Sequence, residues 1–191
     1  MRTARAVLKQ EFDLSLAKQS KVLSCHPGCA HCCSWPVAIS ILEGIDLCLY
    51  LIQTSSWTNS FREKVQEVAD DLTGLTYPVW LNSASPCLFL DASSRCSVYE
   101  HRPFACRMSA ATGVIAFCHP CEVARSRTIV PRTMFSMAFH SIEESLLQDH
   151  RLKMHTMPIA TALLAAEPIA LGKMELWQAD TSIFAEHLER I

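Results

Sequence analysis

The residues best suited to chemistry in this chain are its cysteines, ten in 191, and nine of them fall in three short segments. The first reads Cys25-His26-Pro27-Gly28-Cys29-Ala30-His31-Cys32-Cys33. The second runs from Cys87 through Cys96 to Cys106, and the third is Cys118-His119-Pro120-Cys121. Two- and three-residue spacers let a loop curl until several sulfurs face one centre, and Pro27 and Gly28 suit such tight turning. The pattern points to metal ligation. Adjacent Cys32 and Cys33 are hard to aim at one ion, so one of them is expected to bind a second metal, bridge two metals or remain a free thiol. The candidate ligands are Cys25, Cys29, Cys32, Cys33, Cys87, Cys96 and Cys106, with Cys118 and Cys121 as an auxiliary site.

Other residues can be sorted around that set. Cys48 lies on the apolar face of an expected helix, where a cysteine behaves as a small hydrophobe. His26, His31, His101 and His119 accompany the clusters and can ligate zinc or iron, but the bland reading of each is a loop residue or a donor behind a ligand. His140, His150, His155 and His187 read as structural or exposed. Between Val65 and Leu152 every basic residue is arginine. Four thiolates around a dication leave a net charge of about −2, which is costly to bury without compensation. Arg102 and Arg107 flank Cys106, so they are candidates for compensating that charge or for binding an anion.

Composition bounds the remaining possibilities. Half of the residues are hydrophobic and 19% are charged, which supplies a core and excludes a disordered chain. A net charge of −2 argues against a nucleic-acid partner. The start, MRTARAVLKQEFD, carries charges where a secretory signal needs an apolar run, and no stretch reaches the ~18 apolar residues of a membrane span. No membrane partner is expected, and the cytoplasm is the expected compartment. Thiols stay reduced there, which favours metal over a disulfide scaffold.

Helices must position these residues. Leu8, Phe12 and Leu16 predict an amphipathic helix over the first twenty residues. Ser40 and Glu43 form a capping-box pattern ahead of an apolar run to Leu51, and Ser60 with Glu63 forms another ahead of Phe61, Val65, Val68 and Leu72, closed by Gly74. Pro131 can open a helix carrying Phe135, Phe139, Ile142 and Leu146. Short helices are expected over residues 161–166 and 181–190. Two short apolar runs, 87–90 and 96–99, separated by a polar turn, predict a β-hairpin. The expected fold is mainly α: one domain over residues 1–191 with irregular cysteine-rich metal-binding loops and one small β-hairpin. Residues 22–125 form its cysteine-cluster region and residues 130–191 its C-terminal helices. Those last helices are expected to cover the centre or to offer a face for a second copy or a partner protein.

The two halves of the pattern occur in a known order. Cys25-x3-Cys29-x2-Cys32-Cys33 is followed by Pro86-Cys87-Leu88-Phe89-Leu90-Asp91, and then by Cys96-x2-Tyr99-x2-Arg102-Pro103-x2-Cys106-Arg107. This arrangement resembles the YkgJ-type cysteine-cluster family of zinc- or iron-chelating domains, over roughly residues 22–125, and Glu43 takes the place of an acidic residue on the helix after the first cluster. The resemblance implies a metal-binding domain. A related signature occurs in flagellin lysine methylases, which are linked to S-adenosylmethionine and an iron–sulfur cluster. With only five glycines and no Gly-x-Gly-x-Gly loop, this chain shows no independent pocket for that cofactor. The spacing Cys25-x3-Cys29-x2-Cys32 also matches the cluster loop of radical S-adenosylmethionine enzymes. The chain lacks their alternating strands and has His31 where they carry an aromatic residue.

Three functions follow as expectations. The first is an iron or iron–sulfur centre supporting redox or group-transfer chemistry, favoured by the surplus of thiols. The second is a structural zinc site, for which four cysteines suffice. The third is a metal-sensing or storage module with labile thiolate sites. No nucleophile elbow is present, and Asp91 reads as turn chemistry rather than as a general acid or base.

Overall fold

A computed structural model of the chain describes residues 2–18, 29–83, 85–109, 132–148 and 156–175. It is mainly helical. The element order is α1 (Arg2–Ala17), a 3₁₀ turn (His31–Ser34), β1 (Ala38–Ser40), α2 (Ile41–Gln53), α3 (Asn59–Leu72) and α4 (Tyr77–Leu81). A second 3₁₀ turn (Tyr99–His101), α5 (Phe104–Met108), α6 (Arg132–Gln148), β2 (Thr156–Pro158) and α7 (Ile159–Ala170) follow.

The centre is built from two strand–helix units. β1 runs straight into α2 and β2 straight into α7, and the strands pair antiparallel with Ile39 opposite Met157. That pairing brings the two helices together. Leu47, Cys48 and Leu51 of α2 meet Ala160, Ala162, Leu163 and Ala166 of α7 in one buried cluster. Small residues on α7 permit a close approach, and Gly44 shows how close. A Cβ placed there would lie 2.8 Å from the Ala162 carbonyl oxygen. Helix α3 joins through Val65, which is fully buried, and through Glu167 of α7. That carboxylate accepts from Trp57 Nε1 at 3.0 Å and from Arg62 Nε at 2.8 Å.

A second, smaller cluster holds α1, α5 and α6 together. The Phe12 ring meets Phe104 edge-on at 5.3 Å, and Phe104 stacks on Phe139 at 4.4 Å. Beside it lies a buried ionic network. Arg5 Nη2 sits 3.2 Å from Asp46 and 3.1 Å from Glu143, and Glu143 also accepts from Ser40 Oγ at 2.8 Å. Burial pushes the Glu143 carboxyl up to about 7 from 4.5, outweighing the opposing pull of the Arg5 guanidinium.

Local signals act mostly as expected, with instructive departures. Ser40 caps α2 by accepting from the Glu43 N–H at 3.2 Å, but the Glu43 side chain does not return to complete the box. It is used elsewhere, as shown below. Helix α3 starts earlier than the Ser60–Glu63 pattern suggests, because Thr58 supplies the cap to the Phe61 N–H. Gly74 follows α3 with φ +80°, the left-handed conformation that glycine adopts at low cost. The hairpin expected across residues 87–99 is drawn as one antiparallel bridge, Leu90 with Cys96. Pro131 and residues 181–190 lie outside the described residues. No helix among the described residues is long and apolar enough to cross a membrane.

Candidate metal centre

Six cysteines converge on one cavity. The 3₁₀ turn His31–Ser34 carries Cys32 and Cys33, closed by the Cys33 N–H donating to Ala30 O at 2.9 Å. The Cys87 N–H then donates to the Cys33 carbonyl at 2.8 Å, which joins the first segment to the second. From Cys87 the chain turns through Leu90 and bridges back at Cys96. Asp91 builds that turn, its Oδ1 accepting from the Ser93 and Arg95 N–H groups at 2.8 and 2.9 Å. These backbone bonds, led by that from Arg95, hold its carboxyl below the usual range, so Asp91 serves the turn. Cys106, in α5, also lines the cavity. The result is a cavity of about 560 Å³ lined by Cys29, Cys32, Cys33, Cys87, Cys96 and Cys106.

The carboxylate missing from the α2 capping box positions Cys106. Glu43 is buried, and its Oε1 accepts from the Phe104 N–H at 2.7 Å, with Lys9 Nζ at 3.6 Å. It therefore satisfies a free N–H at the start of α5 and fixes the helix bearing Cys106 to α2. The role is invisible in spacing alone, although the family-like place of Glu43 was a signal.

The two arginines flanking Cys106 point different ways. Arg107 is buried, and its guanidinium is taken up by the Asp13 carboxylate of α1 and by the carbonyls of Glu100 and Arg102. It anchors α5 to α1. Arg102 lines the thiol cavity, with its guanidinium over the Tyr99 ring at 4.0 Å. Its Nε is buried and has no hydrogen-bond partner among the described residues.

The thiols feel one another. A hydrogen bond to Cys33, then burial, pushes Cys32 up. Burial raises Cys87, Cys96 and Cys106, and the neighbouring sulfurs reinforce it. Cys106 responds to Cys87, Cys32 and Cys96, while Cys87 responds to Cys96 and Cys32. Arg102 pulls Cys32 and Cys96 the other way. Without a cation these groups favour the neutral thiol, whereas a bound dication favours thiolate and displaces the protons. The donor set thus fits zinc or iron in kind. In arrangement the sulfurs line a wall: among the described residues no group of three His, Cys, Asp or Glu side chains stands close enough to hold an ion as it is. Ligation requires further convergence of the thiols.

The remaining candidates are placed elsewhere. Cys48 is fully buried in the α2–α7 core, with its thiol pushed up to about 12 by burial, as suits a packing residue. All described cysteines are free thiols. His31 and His101 are exposed, and His101 stacks on Tyr50 at 3.8 Å. Cys25, Cys118, Cys121, His26 and His119 lie outside the described residues. What spacing did not disclose is the apolar part of the cavity, to which Trp35, Trp80, Leu72 and Ile159 contribute.

Comparison with known proteins agrees with this chemistry. Residues 24–149 match the model of the CxxCxxCC family, described as a zinc- or iron-chelating domain. No curated protein matches, and no solved structure matches. The match spans well over half of the chain, and the chain belongs to the CxxCxxCC family of zinc- or iron-chelating domains.

Proposed function

We propose that the chain holds iron in a multi-cysteine centre, as an iron–sulfur cluster or a polynuclear site, and that this centre supports redox or group-transfer chemistry. The observation carrying the proposal is the presence of six thiols on one cavity, two more than a single tetrahedral zinc requires. Cys32, Cys87, Cys96 and Cys106 are the inner ligands in this reading, because Cys32 is the sulfur that Cys87, Cys96 and Cys106 all respond to across the cavity. Cys29 and Cys33 add ligands for further metal or remain thiols for exchange, and Cys25, Cys118 and Cys121 are further candidate ligands. When bound, such a centre supplies electron storage or a Lewis-acidic iron. The chain's own part is to hold the sulfurs apart from solvent, with Glu43 fixing Cys106 and Arg102 offsetting thiolate charge.

A second reading rests on the same quartet. Four thiols from two chain segments are what one structural zinc uses, and such an ion would pin the loops to the helices. Anaerobic purification separates the two. A brown protein with broad visible absorption, acid-labile sulfide or an iron signal by Mössbauer or EPR spectroscopy supports the iron centre. A colourless protein with one zinc per chain overturns it. Ready metal loss to a mild chelator with the fold intact points instead to sensing or storage.

A further inference from the structure

We infer that the thiol cavity is also the binding site of a small organic carboxylate, held by its charge on Arg102 and by its apolar body against the tryptophan side of the pocket. The inference rests on the proposed centre only for its location beside the thiols. Size is the first observation. A single ion displaces about the share of one water, ~30 Å³, whereas about 560 Å³ lies in the range of sites for small molecules. Lining is the second. The six cysteines share the lining with Trp35, Trp80, Leu72 and Ile159, whose side chains cannot ligate a metal. Such a division, apolar walls with a few fixed polar groups, is how small organic ligands are oriented.

Arg102 supplies the polar group. Of the two arginines on this cavity, Arg95 already contacts Asp91 at 3.3 Å, and it is exposed. Arg102 is half-buried on the cavity wall, lies over the face of Tyr99 and bears on Cys32 and Cys96, with no carboxylate paired to it among the described residues. A carboxylate entering the cavity matches the fork of its terminal nitrogens. Asp71 and Glu100 also border the cavity, but both are exposed, where water and salt screen them.

The test uses the full chain, purified anaerobically with its metal, and two probes of one shape: 3-phenylpropanoate and its neutral amide. Calorimetry and ligand-observed NMR measure binding, and metal per chain is measured on every sample. The acid is expected to bind on the order of tenfold or more tighter than the amide. In the metal-loaded fraction Arg102→Gln should erase that preference, while Arg95→Gln should keep it. No binding of the acid, or equal binding of acid and amide, overturns the inference without any variant. An Arg102→Gln protein that retains the preference overturns the assignment of Arg102 to the ligand. Failure of the metal reading would show separately, as a protein that binds neither iron nor zinc.

Discussion

Where α2 crosses α7 there is no room for one added carbon, since a Cβ on Gly44 would come within 2.8 Å of a backbone oxygen. On the cysteine side the same chain leaves about 560 Å³ open. The helical side is held by buried aliphatic contact, which needs no ligand. The loop side is anchored to that frame by Phe89, Val98 and Phe104 and by hydrogen bonds such as Cys87 to Cys33 and Phe104 to Glu43, but it also buries thiols whose charged form is unfavourable until a cation binds. The difference teaches where each kind of stability comes from. Packing fixes the frame, and the ligand completes the site.

The largest effect should come from attacking the loops. Cys106→Ser is expected to lower metal affinity by on the order of 100-fold or more, since even groups behind the ligands are worth 10–100-fold. Helical circular dichroism should persist, because Cys106 is not part of the α2–α7 cluster. Metal analysis with the spectrum on one sample decides this, and full metal content would break the comparison at once.

Gly44→Ala attacks the frame instead. The clash with Ala162 O should exceed the ~1 kcal/mol of helix propensity gained, for a net loss of about 1–3 kcal/mol in urea unfolding. Metal per chain should stay near normal in the folded fraction. An unchanged unfolding midpoint would mean that the helices are free to separate there.

Arg107→Ala sharpens the boundary between the regions. It strands Asp13 and two carbonyls but removes nothing from the thiol wall. A loss of about 1–2 kcal/mol is expected, moderated because Asp13 is partly solvated. A variant with normal stability but little metal would move Arg107 from frame to site.

The smallest effect is a pH slope. A carboxyl raised from 4.5 to about 7 binds its proton more tightly when folded, so its stabilising contribution is full below pH 4.5 and is lost as pH rises through about 7. Glu143→Gln should therefore flatten the fall in unfolding free energy between pH 5 and 8, by about 1 kcal/mol or somewhat more. Arg5, Lys9, Glu43, Asp46 and Ser40 surround the group, so the difference between wild type and variant, rather than either curve, is the quantity to measure. Parallel curves would place the titration elsewhere.

The same division explains what could be read from sequence. The first helix was legible because Leu8, Phe12 and Leu16 repeat a local pattern, and Phe12 is indeed buried. Cys48 was legible for the same reason, lying on an apolar stripe. The segments carrying the thiols were visible as spacing, and the family match over residues 24–149 includes all three of them. Strands β1 and β2 were not legible. Three residues are too few to display alternation, and Ala38 finds Pro158 only through the tertiary structure. The contrast between Arg102 and Arg107 was hidden as well, since both flank Cys106 in sequence and only the approach of Asp13 from α1 separates them. Glu43 showed a cap signal, but the partner of its side chain lies on a distant helix.

The Cys87–Cys33 hydrogen bond also spans much of the chain. Helices α2, α3 and α4 all lie between its two ends, so the bond closes a long loop. Closing such a loop costs entropy that local helix formation does not. The two thiol segments are therefore joined at a cost in chain freedom, which a metal held by sulfurs from both would help to offset.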